Sequence, residues 1–290
     1  MSKSIAIFSC GDANYVPHMC AALKIACKYN QDFTPFIISD VDDPEMLKMI
    51  SDLNITLLQV DMSNQFQVHN SNWPNHMFWY FIGPETFKEL GYDFSLFIDA
   101  DVYCRRKMDL DWLIDDVEIA ARSDRDNEFN SGVIFFNNTK MVEKKLFENA
   151  LSVYRKFSGD EYLKWHGGLV HDQQVLTALG EGNKFNEFWE GNISFDILDL
   201  DITWNYPFQH LENRNEKYIK MKIPKLESKL NCIHFLLSRP WLPMSKWGGQ
   251  HGLFYTKDFP NGWVVKTKKG EPKPESRIYF VNKWREEVRS

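Results

Sequence analysis

Hydrophobic and polar residues follow two different rhythms along the first hundred positions of the chain. Short apolar, β-branched runs bounded by Asp, Asn or Gly predict strands, whereas longer stretches with apolar residues every three or four positions predict helices. The predicted strands are Ser4 to Ser9, Thr34 to Ile38, Ile55 to Val60 and Phe94 to Ile98. Strands that alternate with helices are typical of a largely parallel sheet with helices on both faces, so the sequence predicts an α/β sandwich.

Helices are predicted between these strands. The first is marked by apolar residues at helical spacing, namely Val16, Met19, Cys20, Leu23 and Cys27. Asp12 or Asn14 is available to cap it. The segment Pro84 to Gly91 has proline in its first turn and glycine after its end, which predicts a helix leading into the strand that ends before Asp99. Downstream, the pattern predicts a strand at Gly132 to Asn137 and helices from about Thr139 to Lys156 and from His171 to Leu179.

The pattern becomes irregular beyond about residue 185. Aromatic, proline and glycine residues are frequent from Trp189 to Trp263, which indicates an irregular region laid over the sheet rather than an independent domain. The segment 264–290 contains eight Lys or Arg residues and four Glu, so it is locally basic. We interpret it as a C-terminal extension, a solvated tail or a terminal helix, with weak peripheral contact to an anionic membrane surface as the alternative.

Composition narrows the class of protein. The 290 residues carry 34 Lys or Arg against 40 Asp or Glu, a net charge of −6, which argues against a nucleic-acid partner. The five cysteines include no Cys-x-x-Cys pair and are odd in number, which favours reduced thiols and a cytoplasmic location. No apolar run approaches the roughly 18 residues that a membrane helix needs, so we expect a soluble protein.

The sharpest chemical feature is Asp99-Ala100-Asp101, which follows the apolar strand Phe94 to Ile98. Side chains two residues apart on extended backbone point to the same side, and ligands of open α/β sheets bind at the carboxyl ends of strands. Paired carboxylates there are suited to Mg²⁺ or Mn²⁺, whose coordination shell is commonly completed by phosphate oxygens. A nucleoside diphosphate group is therefore the implied ligand, although aspartates at strand ends are also common as turn formers.

Four further segments follow in a fixed order: Phe129 to Asn137, His171 to Gln174, Thr203 to Tyr206 and Ile233 to Trp241. With Asp99-Ala-Asp101 they resemble the retaining glycosyltransferases of family 8, which includes glycogenin and the bacterial lipooligosaccharide galactosyltransferases. The resemblance runs from about Ile5 to Trp241. It implies the GT-A fold, a single Rossmann-like α/β/α sandwich with a mostly parallel central sheet. The catalytic domain would span 1–263, with a nucleotide-binding half at about 1–105 and a sugar and acceptor half at about 106–263.

The same resemblance implies transfer of a sugar, with retention of configuration, from a UDP-sugar to a glycan, glycolipid or glycoprotein. By matching positions, Asp99, Asp101 and His234 would hold Mn²⁺ or Mg²⁺ against the diphosphate. The residues matching the nucleotide-sugar contacts are Ser9, Asp12, Asn14, Tyr15, Ala100, Asn130, Ser131, Gly132, Asn205 and Arg239. Asn130, Asp172 and Gln173 would be the catalytic residues: Asn130 and Asp172 match positions that hydrogen-bond the donor sugar hydroxyls, and Gln173 matches the residue beneath the reacting sugar. Asp172 is also a candidate nucleophile or electrostatic stabiliser.

The chain departs from the family pattern in two places. After His234 the spacing is one residue shorter than usual, Leu237 replaces a glycine and Arg239 replaces a lysine. No Lys or Arg occurs between Asn70 and Phe87, where the family usually has a basic residue, so the donor preference is expected to differ. We interpret the chain as a divergent member.

Three other functions fit parts of the pattern. A haloacid-dehalogenase-like phosphatase also uses Asp-x-Asp after an apolar strand, but there the motif lies on the first strand. A nucleotidyltransferase of similar fold would need a glycine-rich basic loop after the first strand, which Gly11-Asp-Ala-Asn14 lacks. A non-catalytic nucleotide- or glycan-binding domain would bind a UDP-sugar without releasing UDP.

Overall fold

The structure is a computed structural model, and it describes residues 4–61, 66, 75–113, 116–123, 128–159, 170–180, 194–207, 228–235 and 275–290. Its strands are β1 (Ile5–Cys10), β2 (Phe33–Ser39), β3 (Thr56–Gln59), β4 (Phe94–Ile98), β5 (Val102–Cys104), β6 (Ile119–Ser123), β7 (Phe129–Asn137), β8 (Ile197–Asp199), β9 (Tyr206–Pro207) and β10 (Cys232–His234). Its α-helices are α1 (Val16–Tyr29), α2 (Pro44–Asp52), α3 (Gly83–Glu89), α4 (Asn138–Glu143), α5 (Leu146–Phe157), α6 (Asp172–Leu179) and α7 (Glu275–Arg289).

Seven strands form the central sheet, in the order β3-β2-β1-β4-β7-β6-β8. Every neighbouring pair is parallel except the two made by β7, which runs antiparallel to β4 and to β6. The predicted mixed α/β class with a mostly parallel sheet is thereby confirmed. The reversal at β7 brings its first residues, Phe129 to Gly132, to the edge of the sheet where β4 ends.

Alternating side chains of the strands enter two separate hydrophobic layers, one on each face of the sheet. In β1, Ala6 and Phe8 join a layer that is rich in aromatic residues, whereas Ile5 and Ile7 join the layer under α1. Burial on both faces explains why β1 and β4 appear as continuous apolar runs. In the described part of the chain, both faces of the sheet are filled by side chains, which leaves the ends of the strands as the place where polar residues can meet a ligand.

A second, three-stranded sheet in the order β5-β10-β9 lies beside the carboxyl end of β4. Its strands are only two or three residues long, and the sequence analysis did not predict them. In β5 and β10, Cys104 and Cys232 are paired directly, with their sulfur atoms 2.8 Å apart, and both are buried free thiols. The small sheet positions candidate site residues, because β10 ends at His234, β5 begins directly after Asp101 and β9 begins directly after Asn205.

The helix predicted from Thr139 to Lys156 is wrong as a single element. The structure has two helices, α4 and α5, separated at Lys145, whose φ of 53° is left-handed and incompatible with a continuous helix. Asn137 caps α4 through its side chain, and the turn directs α5 so that its apolar stripe, including Leu151 and Phe157, packs on the core. The predicted helices at 84–91 and 171–179 are confirmed as α3 and α6, with Gly91 in the left-handed region after α3.

Of the two structures expected for the C-terminal segment, the terminal helix is confirmed over Glu275–Arg289 (α7), and the solvated tail is wrong for those residues. Val281 and Trp284 are buried, and Glu287 accepts hydrogen bonds from Tyr29 and Tyr103. Within the part of the chain that the structure describes, none of the helices is long and apolar enough to span a lipid bilayer.

Candidate metal centre

Asp99 and Asp101 lie in a tight turn between the end of β4 and the start of β5. The amide N–H of Asp99 donates to the carbonyl of Gly132 (3.0 Å), and the amide N–H of Val102 donates to the carbonyl of Asp99 (3.0 Å). These bonds fix the turn from both sides. The side chain of Asp99 is 37% exposed and that of Asp101 is 16% exposed, so both carboxylates reach solvent only in part.

His234 is brought to the same place by the second sheet. It is the last residue of β10 and pairs with Val102 of β5, and the amide N–H of Phe235 donates to the carbonyl of Asp101 (3.0 Å). The imidazole Nε2 then lies 3.1 Å from Asp101 Oδ1 and 3.5 Å from Asp99 Oδ2. Two distant parts of the chain therefore converge, the turn that holds Asp99 and Asp101 and the strand that ends at His234. Among the described residues, these three form the group that could hold a metal ion.

The donor set fits a divalent cation. One ligand atom from each of Asp99, Asp101 and His234 lies within 4.8 Å of the other two, so a single ion can reach all three. Two carboxylate oxygens and one imidazole nitrogen are a combination that suits Mn²⁺, and the three residues leave positions for oxygen ligands from a substrate. These three residues are the ones that the sequence analysis named as ligands.

The electrostatics of the centre also favour a cation. Loss of hydration raises the pKa of Asp99 to about 8; His234 opposes this rise, while the neighbouring carboxylates of Asp101 and Asp172 add to it. Burial alone would lower the pKa of His234, but Asp101 and Asp99 together raise it above its ordinary value. Because the acids are crowded and repel one another, positive charge placed between them lowers the free energy of the site.

The segment Asn130-Ser131-Gly132 of β7 forms the wall behind His234. Asn130 Oδ1 accepts a hydrogen bond from the amide N–H of Gly132 (3.0 Å) and another from Nδ2 of Asn205 (2.6 Å). The imidazole Nδ1 of His234 lies 3.1 Å from Asn205 Oδ1 and 3.3 Å from Asn130 Oδ1. Gly132 has no side chain at the point where the imidazole ring passes, so the ring packs directly on the backbone.

Asp172, at the start of α6, lies near the same centre and is hydrogen-bonded to Ser131 of β7. Burial raises the pKa of the Asp172 carboxyl to about 6, although hydrogen bonds from the Ser131 side chain and the backbone N–H of Gln173 oppose the shift. The hydroxyl of Tyr80 donates to the carbonyl oxygen of Asp172 (3.4 Å). Gln173, the next residue, is half-buried. The start of α6 thus places one buried acid close to Asp99 and His234.

The N-terminal segment lies at the carboxyl end of β1. Asp12 Oδ1 caps the short turn Ala13–Tyr15 by accepting from the Asn14 amide (2.9 Å), and Asn14 itself is exposed. His76 has its Nδ1 3.6 Å from Asp12 Oδ2 and its ring 5.1 Å from that of Tyr15, in an edge-on arrangement. Burial lowers the pKa of His76. Ser9 is fully buried, so the open surface of this segment is formed by its later residues.

The remaining predicted site residues differ in their placement. Ala100 is half-buried in the turn between the two acids, and Asn205 is fully buried behind His234. Arg239 lies outside the described residues. Two further residues at the site, Tyr80 and Arg122, were not predicted from the sequence; they contact Asp172 and Asn205 respectively. Tyr80 is hidden within the aromatic run Met77 to Ile82, and a single arginine in a short strand has no distinguishing pattern.

Comparison with known proteins identifies the fold. No family model matches the sequence, and no curated protein matches it. The galactosyltransferase LgtC, solved with donor and acceptor sugar analogues, is 15% identical, with 84% of this chain and 92% of that chain covered and a TM-score of 0.53. An active-site glutamine-to-glutamate mutant of LgtC is 16% identical, with 82% and 89% covered and a TM-score of 0.54.

A third solved structure covers more of this chain. The glycosyltransferase GlyE of Streptococcus pneumoniae TIGR4 is 16% identical, with a TM-score of 0.58, and the match covers 99% of this chain but 60% of GlyE. These similarities, together with the seven-stranded sheet, show that the chain has the GT-A fold expected from the sequence. At such identities they establish the fold alone.

Proposed function

We propose that the protein is a glycosyltransferase that transfers a hexose or related sugar from a UDP-sugar to a glycan, glycolipid or glycoprotein, with retention of anomeric configuration. The observation that supports this most is the convergence of Asp99, Asp101 and His234 on one point at the carboxyl edge of a GT-A sheet. Solved proteins of the same fold are glycosyltransferases, and LgtC was solved with donor and acceptor sugar analogues.

The metal centre would hold the donor's diphosphate. Asp99, Asp101 and His234 would bind Mn²⁺ or Mg²⁺, which when bound supplies positive charge to the departing UDP as the glycosidic bond breaks. The chain's own contribution is to fix these ligands through the turn at 99–102 and the pairing of β5 with β10. In this proposal Arg239 adds a second cationic contact to the diphosphate.

The nucleoside would bind along the N-terminal segment. Asp12, Asn14 and Tyr15 leave the edge of the sheet beside His76, and they combine carboxylate, amide and aromatic groups that suit a ribose and a uracil ring. Because Ser9 is buried beneath them, its proposed contribution is structural support of the loop. Because no lysine or arginine occurs between Asn70 and Phe87, His76 and Trp79 are the residues proposed to determine which donor is used.

The start of α6 would orient the donor sugar. Asp172 is buried and its pKa is raised. Its carboxyl accepts hydrogen bonds from the Ser131 side chain and from the backbone N–H of Gln173, which keep it in one orientation. Gln173 would lie under the reacting carbon, where an amide is a poor nucleophile. The proposed step is therefore front-face displacement. The bond between the sugar and the phosphate breaks, a bond to the acceptor oxygen forms, and the acceptor's proton passes to the leaving phosphate.

The experiment that tests this function has two readouts. The first is the shift in melting temperature caused by a panel of nucleotide-sugars with Mn²⁺ and then with excess EDTA, which identifies the donor through ligand-linked stability. The second is release of UDP with candidate acceptors. The proposal predicts metal-dependent stabilisation by one UDP-sugar and UDP release. Stabilisation without any UDP release would indicate a non-catalytic binding domain, and absence of both would contradict the proposal.

Substitutions at the centre give the matched comparison. Asp101→Asn should abolish metal-dependent UDP release because it removes the negative charge of a metal ligand while preserving the size of the side chain. Asp93→Asn is the control, since Asp93 is an exposed acid at the opposite end of the same strand, next to Phe94. Equal activity in both variants would show that the carboxylate of Asp101 is not used.

A further inference from the structure

We propose that Asn205 is a positioning residue: together with Asn130 it fixes the tautomer of His234, so that Nδ1 carries the hydrogen and Nε2 is the nitrogen presented to the cation. The inference rests on the proposed function for the identity of the bound ion, and it concerns a residue that does not contact the metal. It is carried by a chain of hydrogen bonds whose direction is determined at one end by a backbone amide.

The chain begins at Gly132. Its backbone N–H can only donate, and it lies 3.0 Å from the side-chain atom of Asn130 that faces it. That atom must therefore be the carbonyl oxygen Oδ1, which fixes the orientation of the Asn130 amide. The opposite orientation would place an NH₂ group against an N–H group.

The orientation of Asn205 follows from that of Asn130. Its side chain approaches Asn130 Oδ1 with an atom 2.6 Å away, which must be the donor Nδ2, because two carbonyl oxygens at that distance would repel each other. The other atom of the Asn205 amide is then Oδ1, and this atom lies 3.1 Å from Nδ1 of His234. Asn130 Oδ1 is also 3.3 Å from the same nitrogen.

Nδ1 of His234 thus faces two carbonyl oxygens, and neither of them can donate. A nitrogen without a hydrogen would face two hydrogen-bond acceptors in a buried site, which is unfavourable, so Nδ1 carries the hydrogen. The lone pair that can bind a metal is then on Nε2, which is the atom directed at Asp99 and Asp101. Metal-binding histidines commonly depend on such an acceptor at their second nitrogen.

The surroundings hold Asn205 in place. Its side chain is fully buried, and its backbone carbonyl accepts a hydrogen bond from Nη1 of the buried Arg122 (2.9 Å). Asn205 follows the short turn Ile202–Trp204, in which Trp204 packs against Phe135. The Arg122 hydrogen bond and the packing of the preceding Trp204 therefore hold the backbone of Asn205 in place, as expected of a residue that orients another.

The arrangement also changes the expected role of Asn130. Its oxygen is used inside the protein by Gly132, Asn205 and His234, and the residue is 3% exposed. The contact with a donor-sugar hydroxyl that the resemblance implies would have to be made through Nδ2. Its contribution on the present geometry is to orient Asn205 and His234.

The first test compares the dissociation constant for Mn²⁺ among matched variants by calorimetric titration of the full chain. Asn205→Leu keeps the shape but removes the acceptor, and we expect Mn²⁺ binding to weaken roughly 10- to 100-fold. Asn138→Leu is the control. Asn138 is also a fully buried asparagine with two hydrogen bonds, but its partners are Ser95 and Tyr92, away from His234.

The control separates positioning from stability. Both leucine variants should melt at a lower temperature, whereas only Asn205→Leu should lose Mn²⁺ affinity; Asn205→Ala serves as a second variant if the leucine variant does not fold. A folded Asn205 variant that binds Mn²⁺ as tightly as the wild type would overturn the inference. Equal loss of affinity in Asn138→Leu would also overturn it, because the effect would then be structural.

The second test needs no variant of Asn205 and no metal. In ¹⁵N NMR of histidine-labelled, metal-free protein, recorded at a pH at which the His234 imidazole is neutral, Nδ1 should show a directly bonded hydrogen and Nε2 should show none. The two signals are assigned by their loss in His234→Gln. If Nδ1 has no bonded hydrogen, the inference fails. If the wild type binds no divalent cation but the Nδ1 hydrogen is present, the proposed function fails while the tautomer assignment stands.

Discussion

Gly132 lies directly against the imidazole of His234. A Cβ atom built on Gly132 would overlap the ring at Nδ1 and Cε1 and would also lie 3.1 Å from Asn130 Oδ1. This glycine is required for the space it leaves, since its backbone is not in the left-handed region. The imidazole of His234 can pack against the backbone of β7, and so lie beside Asp99 and Asp101, because position 132 has no side chain.

The first prediction concerns this contact. Gly132→Ala should displace the His234 ring, because the neighbouring atoms belong to a buried ring and to a hydrogen-bonded amide rather than to a flexible chain end. We expect Mn²⁺ affinity to fall by at least about tenfold and the free energy of unfolding to decrease by about 1–3 kcal/mol. Calorimetric titration and urea unfolding measure the two effects.

Gly159→Ala is the control for that substitution. Gly159 is exposed, and its added Cβ would come no closer than 3.2 Å, to the carbonyl oxygen of Lys156. The control should retain wild-type Mn²⁺ affinity. If Gly132→Ala also binds Mn²⁺ like the wild type, the described approach of His234 to β7 is incorrect.

The second prediction is a dependence of stability on pH that comes from Asp172. Its pKa is raised to about 6 in the folded protein, mainly by burial, so the folded state holds a proton that the unfolded state has lost. This contribution to stability is fully present below about pH 4 and is lost as the pH rises through 6. The wild type should therefore lose up to about 3 kcal/mol more than Asp172→Asn between pH 4 and 7.5.

Urea unfolding in EDTA at several pH values measures this difference. The raised pKa of Asp99 acts in the same direction in both proteins, so most of its effect cancels in the comparison. Parallel pH profiles of the wild type and Asp172→Asn would show that Asp172 ionises normally. Such a result would remove the argument that this carboxyl is held in a water-poor position.

The third prediction concerns Glu287, which attaches α7 to the rest of the protein. Its carboxylate, 13% exposed, accepts hydrogen bonds from the hydroxyls of Tyr103 (2.5 Å) and Tyr29 (2.9 Å) and lies 3.5 Å from Lys28 Nζ. Glu287→Gln removes the charge but keeps the shape, so the free energy of unfolding should fall by about 1–3 kcal/mol. Limited proteolysis should also cut α7 sooner.

The neighbouring Glu286 provides the comparison. Its side chain is 66% exposed and it pairs with Lys283 within the same helix, so Glu286→Gln should change stability by less than about 0.5 kcal/mol. Similar small effects of both substitutions would indicate that α7 is only loosely attached. A large effect at Glu287 would show that α7 also supports β5, because Tyr103, which donates to Glu287, belongs to β5, the strand that pairs with the strand of His234.

Much of the central sheet could be predicted because its strands carry strong local signals. β1, β2 and β4 are predominantly apolar runs between polar boundaries, and α1 has a regular apolar stripe. The small sheet could not be predicted, since β5, β9 and β10 have two or three residues each and exist only through pairing with distant partners. The break at Lys145 was missed because helical periodicity continues on both sides of it.

The candidate site was predictable for a different reason. Asp99 and Asp101 are recognisable as paired acids after an apolar strand. A lone histidine such as His234 could be predicted as a metal ligand only through the resemblance to family 8. The contacts that orient these ligands were not predictable in the same way. Asn205 and Arg122 act through buried hydrogen bonds, and their effect depends on which atom faces which. That information exists only in three dimensions.

The most direct test of the central claim, that two acids and one imidazole share a single cation, is pulsed EPR of the protein loaded with Mn²⁺. We predict one bound Mn²⁺ per chain with a ¹⁴N coupling from a directly coordinated imidazole. This coupling should disappear in His234→Gln and persist in His76→Gln, in which the altered histidine lies beside Asp12 instead. Bound Mn²⁺ without any nitrogen coupling, or a coupling that survives in His234→Gln, would contradict the account.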